Sequence, residues 1–288
     1  MHPQRRREYL EAIGIDLWQP RSAPQARGAV TASDSTAASD STTPNGVTTA
    51  SGPTAPAAAS GVAAARALPG ALALTPSGPQ PAAPAMSAAE AAAQWQTLRS
   101  EVLKCTRCPL HATRTQGVLG VGPERADWLV IGEAPGAEED RRGEPFVGVA
   151  GQLLDRMLAA IGLDRKSNVY IANVLKSRPP GNRDPKPEEV AACLPYLVRQ
   201  MALLQPRIML AVGRIAAQNL LATDAPLGRL RGRVHYFGER NTPLVVTYHP
   251  AYLLRTPADK RKAWEDLKFA RGVYQQLIRG SATDGNRS

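Results

Sequence analysis

The sequence predicts an α/β fold: a three-layer α/β/α domain built on a central, mainly parallel sheet. Three observations lead there. Short apolar runs alternate along the chain with stretches of helical periodicity, the signature of strand–helix–strand units. The runs deliver Gly132, Asn173, Gly213 and His249, turn-forming or polar residues that mark strand ends. Composition also breaks near residue 88. Between residues 22 and 88 the chain is almost wholly Ala, Pro, Ser, Thr and Gly, with no aromatic residue. Such a segment cannot bury enough apolar surface to offset its ordering entropy, so the core must form from the roughly 195 residues that follow.

The elements follow in order. Residues 94–103 read as a helix and 105–119 as irregular chain. Trp128-Leu129-Val130-Ile131 is a short apolar run ending at Gly132, a strand buried on both faces. Residues 151–161 are amphipathic. Residues 169–174, Val-Tyr-Ile-Ala-Asn-Val, form the second strand. A long helix spans 187–204, with Pro187, Glu188 and Glu189 suited to its first turn. Residues 208–212 are a strand and 215–221 a helix. Residues 234–237 and 244–247 are strands. A closing helix covers 259–278, with Trp264, Leu267, Val273 and Leu277 available for its inner side. Four domain-level segments result: a short helical arm at 1–20, a disordered linker at 21–88, a folded domain at 89–280 and a disordered tail at 281–288.

The formal net charge is +10, and residues 1–87 hold six Arg against five Asp or Glu, so the folded part carries about +9. A basic domain of this kind suits a polyanionic partner, most simply nucleic acid. No apolar run is long enough to span a bilayer, and the three N-terminal Arg precede no continuous apolar stretch, which argues against a secretory signal. A cytoplasmic, nucleoid-associated protein is expected, without membrane contact. Three cysteines in such a protein do not suggest disulfides.

In open parallel sheets ligands bind beyond the carboxyl ends of the strands, and that is where the chemistry-bearing residues fall. Gly132-Glu133-Ala134-Pro135-Gly136 lacks the lysine and spacing of a phosphate loop. A tight turn explains its glycines but not Glu133, which is followed by Glu138, Glu139 and Asp140. Phe146, one of three Phe, lies in a glycine-rich loop. It suits either core packing or stacking on a planar ligand. Asn173 is either a turn former or an amide placed to pair with a base edge. The basic stretch from Lys176 to Arg183 is either a solvated loop or a phosphate contact. His249, with Leu253, Leu254 and Arg255 after it, is the only one of four His at a predicted strand end of this set.

In combination these residues resemble the family 4 uracil-DNA glycosylases, the iron–sulfur branch of that superfamily. The resemblance covers roughly residues 105–269 and rests on Gly132-Glu133-Ala134-Pro135-Gly136, Pro145-Phe146-Val147-Gly148, Asn173, Arg178-Pro179-Pro180-Gly181-Asn182-Arg183 and His249-Pro250 with Leu253-Leu254-Arg255. It implies a base-excision repair enzyme, a hydrolase that flips uracil from single- or double-stranded DNA and cleaves its N-glycosidic bond. By the same resemblance Ala134, Phe146, Asn173 and His249 hold the uracil, and His249 stabilises the departing anion. Glu133 is the first choice for the carboxylate that positions water and Glu139 the second. Arg178, Asn182, Arg183 and Arg255 contact DNA, with Leu253 and Leu254 filling the vacated space. A monomer is expected, with the N-terminal arm docking to replication or repair machinery.

Members of that family hold a 4Fe–4S cluster on four cysteines. Here the set is Cys105, Cys108, Cys193 and, at the third cysteine's place, Ser177. Serine is the poorer iron ligand because its hydroxyl gives up its proton far less readily than a thiol. Three outcomes stay open: a cluster completed by Ser177 or an outside ligand, a zinc site, or no metal. Two other functions compete: a non-catalytic DNA-binding and docking module on the same fold, and a variant that bonds covalently to DNA, for which His235 is the nearest feature.

Overall fold

The computed structural model describes residues 86–284. The arm and almost all of the linker lie outside the described residues, as do residues 285–288. The first helix, α1 (Ala88–Leu103), begins at Ala88 rather than at residue 94 because Ser87 caps it. The Ser87 hydroxyl accepts from the Glu90 N–H at 3.2 Å and the Glu90 carboxylate accepts from the Ser87 N–H at 2.8 Å. Trp95, Leu98 and Val102 recur at helical spacing and are buried.

Five strands form one sheet in the order β2–β1–β3–β5–β4, with β1 (Trp128–Gly132), β2 (Val169–Asn173), β3 (Ile208–Val212), β4 (His235–Phe237) and β5 (Thr242–Thr247). The first four in that order are parallel; β4 pairs antiparallel with β5 at the edge. Each of β1, β2 and β3 is buried along its whole length, as strands covered on both faces must be. Successive side chains go to opposite sides. Leu129 and Ile131 join a cluster with Trp95, Leu98, Tyr196, Leu197, Met209 and Val246. Trp128 and Val130 join one with Leu154, Leu158, Leu210, Val245, Trp264 and Leu267. Each such side chain contributes about 1.5–3 kcal/mol by leaving water, so the two clusters hold the sheet between its helical layers.

The covering helices are α3 (Val149–Ala159), α4 (Pro187–Leu204), α5 (Arg214–Leu221) and the closing helix, here labelled α8 (Lys260–Asp284). The last runs beyond residue 278 into the stretch expected to be a tail. Three helices were not predicted: α2 (Ala137–Arg142), α6 (Leu227–Leu230) and α7 (Pro250–Arg255). All are one or two turns, too short to show a 3.6-residue repeat. In α2 the acids Glu138, Glu139 and Asp140 occupy the first turn and Arg141 and Arg142 the last, so the charge cluster after Glu133 is partly a helix-dipole pattern. Among the described residues no helix is long and apolar enough to cross a membrane.

Candidate active site

The strand order explains how distant residues meet. Asn173 ends β2, Glu133 follows β1, Gly213 and Arg214 follow β3, and His249 follows β5, so four neighbouring carboxyl ends present them side by side. Of these, Asn173, Glu133 and His249 border a cleft of about 430 Å³ whose walls also include Glu139, Phe146 and Arg255.

Close packing fixes each group. Gly132 pairs in register with Asn173, and a Cβ on it would fall 2.4 Å from the Asn173 Oδ1 and 2.6 Å from the Phe146 ring, so only glycine lets the two approach. Phe146 itself sits at φ 55°, a left-handed conformation rare outside glycine. Surrounding contacts hold it there. Arg165 donates to the Phe146 carbonyl at 3.0 Å, and Gly151 leaves room for that carbonyl where a Cβ would lie 1.8 Å away. Glu139 anchors the same loop: its carboxylate accepts from the Val147, Gly148 and Gly136 N–H groups at 3.0, 3.2 and 3.1 Å. This carboxylate lines the cleft but is already committed to three backbone donors.

Glu133 is the less satisfied acid. Burial, then the neighbouring Asp184 charge, raise its pKa to about 7, against a smaller lowering by Arg214. Arg214 and Asp184 pair at 3.1 Å. Neither was singled out from the sequence; the signal for Arg214 was its place directly after the strand-ending Gly213.

His249 caps α7. Its Nδ1 accepts from the Ala251 N–H at 3.1 Å, so in the neutral ring the proton is on Nε2. Burial, with the positive charge of Arg255, lowers its pKa to about 4, partly offset by Glu139, and the ring is neutral near pH 7. The ring lies 5.6 Å from that of Phe146. On one side Gly213, at φ +100°, gives the close approach that a Cβ at 2.9 Å would block. Before it in the chain, Tyr248 stacks on Tyr252 at 5.3 Å and carries Arg231 over its face at 4.4 Å. Asn173 is 2% exposed, and its Oδ1 is buried with no hydrogen-bond partner.

Some expectations change. Leu253 is 1% exposed and packs in the second core cluster, so it cannot fill a gap in DNA; Leu254, 42% exposed, stands outside. The difference is one residue of helical rotation, about 100°, which no sequence spacing revealed because α7 is so short. Arg183 is paired with the buried Glu189 at 2.5 Å, which reduces its freedom to meet phosphate, though it borders the cleft. Arg178 donates to the Asn182 Oδ1 at 2.8 Å. His235 bonds the Leu230 carbonyl at 2.8 Å and does not border this cleft.

Cys105, Cys108 and Cys193 are free thiols, and Ser177 is buried. Their arrangement does not fit a four-thiolate cluster. The fourth donor is a hydroxyl already accepting from Arg114 at 2.6 Å, and although Cys193 lies within electrostatic reach of Cys105 and Cys108, among the described residues no three His, Cys, Asp or Glu side chains are set so that they could hold a metal ion.

A mainly parallel sheet with a cleft at its carboxyl edge, lined by an acid, an amide, a phenyl ring and a neutral histidine, defines an α/β protein equipped to handle a nucleobase. Residues 119–268 match the model of the uracil DNA glycosylase superfamily, and the chain belongs to that family. It is 46% identical over 174 residues to a type-4 uracil-DNA glycosylase of Archaeoglobus fulgidus, covering 58% of this chain and 87% of the relative. The type-4 enzyme of Thermotoga maritima is 39% identical over 185 residues, covering 63% and 95%. A type-5 uracil-DNA glycosylase of Thermus thermophilus is 37% identical over 149 residues, covering 46% and 68%.

Proposed function

We infer that this chain is a DNA-repair glycosylase that removes uracil from DNA. The observation that carries the reading is the buried, unpartnered Asn173 Oδ1. An orphaned buried acceptor costs about 1–3 kcal/mol, so the cleft is built for a donor that arrives with the ligand. Uracil N3–H is such a donor, and the Asn173 amide N–H matches uracil O4. Cytosine presents the opposite pattern at both atoms.

The chemistry follows from the side chains. Phe146 stacks on the extruded base, with Ala134 beside it. As the C1′–N1 bond breaks, its electron pair goes to uracil and the negative charge spreads to O2. The His249 Nε2–H donates a hydrogen bond there; a neutral donor stabilises the anion without having to protonate it. Glu133, ionised, faces the cationic sugar, orients a water toward C1′ and takes its proton as the new C–O bond forms. Glu139 holds the Phe146 loop, which makes Glu133 the acid of choice. Leu254 takes the vacated place in the stack, with Arg178, Asn182, Arg183 and Arg255 along the strand. The residues proposed for a cluster, Cys105, Cys108, Ser177 and Cys193, do not border the cleft, and no step runs through them.

The reading carries with it a monomer acting in the cytoplasm on single- or double-stranded DNA, a catalytic domain beginning near residue 89, and a docking role for the arm at 1–20. The test is cleavage of a uracil-containing oligonucleotide after alkali. The parent should cut it; Asn173→Ala and His249→Ala should each lose about 10²–10³ of the rate while keeping the fold. Binding without cleavage by the parent would instead favour the non-catalytic module.

A further inference from the structure

The segments that a four-cysteine cluster would staple are already joined. Arg114 follows the turn at Pro109–Ala112, and its guanidinium spans three acceptors. Nη2 donates to the carbonyls of Leu103 and Cys105 at 2.8 and 2.9 Å, and Nη1 donates to the Ser177 Oγ at 2.6 Å. One side chain thus ties the end of α1 and the start of the Cys105–Cys108 segment to the loop after β2. Two backbone donors extend the tie: the Lys176 N–H meets the Cys193 Sγ of α4 at 3.5 Å, and the Val118 N–H meets the Lys176 carbonyl at 2.8 Å.

Ser177 is 3% exposed, so its bond to a cationic donor is made out of water, where charge-assisted bonds are strongest. Iron would have to compete with that bond: a serine ligand binds as alkoxide through a lone pair, and one of this oxygen's is already directed at a guanidinium. The exchange of sulfur for oxygen turns a metal ligand into a hydrogen-bond acceptor of the right length for Arg114.

We propose that Arg114 and Ser177 form a metal-independent clasp that holds these segments together, so that the fold of this chain does not depend on iron. The test uses the full chain purified without oxygen. Iron and sulfide are assayed, and melting is followed before and after bipyridyl chelation under reducing conditions. Chelation should move the melting temperature by less than about 1 °C, whereas Arg114→Ala should lower it by about 5 °C or more and Ser177→Ala by a smaller amount. If Arg114→Ala fails to fold, Arg114→Lys, which keeps the charge but loses the fork, should melt in between. A fall of more than about 5 °C on chelation, or variants that melt with the parent, would overturn the clasp. Uracil excision is measured separately: a parent that melts as expected but cuts nothing would refute the glycosylase reading and leave the clasp standing.

Discussion

Burial favours the neutral form of both Glu133 and His249, and pH separates them. Glu133 ionises near 4.5 when unfolded but near 7 in the cleft, chiefly because burial disfavours its charge. In the role proposed for it, orienting water, it must be deprotonated, so the excision rate should rise with pH through about 7. Glu133→Gln should be slow and lose that limb. His249, neutral above about 4, should add no limb between pH 5 and 9. Stability runs the other way. The folded state binds the Glu133 proton more tightly than the unfolded chain does, so this group contributes stability below about pH 4.5 and loses it as pH rises through about 7. Glu133→Gln should therefore melt higher than the parent at pH 8, by about 1 kcal/mol after allowance for partial solvent screening, with no such gain at pH 4. A pH-independent parent rate, or a variant no more stable at pH 8, would count against the assigned role.

The helix α7 shows how one short element divides its work. Leu253 packs beside Trp264 and Leu267, while its neighbour Leu254 is exposed on a helix whose Tyr252 and Arg255 line the cleft. Leu253→Ala should cost about 2–5 kcal/mol of stability through the cavity it leaves. Leu254→Ala should leave melting nearly unchanged but raise KM on duplex far more than on single-stranded uracil DNA, since only a duplex leaves a gap to fill. Equal losses on both substrates would deny Leu254 that role. The contrast also marks where the sequence stops being legible. Long periodic or fully apolar segments were plain: β1, β3 and the long helix α4 fall where hydrophobic pattern puts them. The strand ends pointed to Glu133, Asn173 and His249 because sheet topology makes such ends converge. What spacing could not show was side-chain direction within a single turn, as at Leu253, or the partners of long charged side chains. The Glu189 that ties Arg183, the Asp184 that pairs with Arg214 and the three acceptors of Arg114 are contacts that only the folded chain defines.

At the scale of the whole molecule, charge is distributed so that binding and recognition are separate. About nine of the ten net positive charges belong to the residues after the linker, whereas the cleft proposed to hold the base offers it mainly neutral groups, Phe146, Asn173 and His249. Affinity for the backbone should then depend on salt and not on uracil, because each phosphate neutralised releases condensed counterions. Arg255 is exposed at the rim of the cleft and Arg178 stands on the loop beyond Asn173, bonded to Asn182 by its Nε. Titrating the full chain with fluorescent oligonucleotides from low to moderate salt should give a linear fall of log affinity with log salt. Arg178→Gln and Arg255→Gln should each lower the slope by about 1, by the same amount for oligonucleotides with and without uracil. Asn173→Ala should do the reverse, leaving the slope alone and removing the preference for uracil. A loss at Arg178 or Arg255 confined to uracil-containing DNA would mean that these side chains read the base, and the division between an electrostatic track and a neutral pocket would fail.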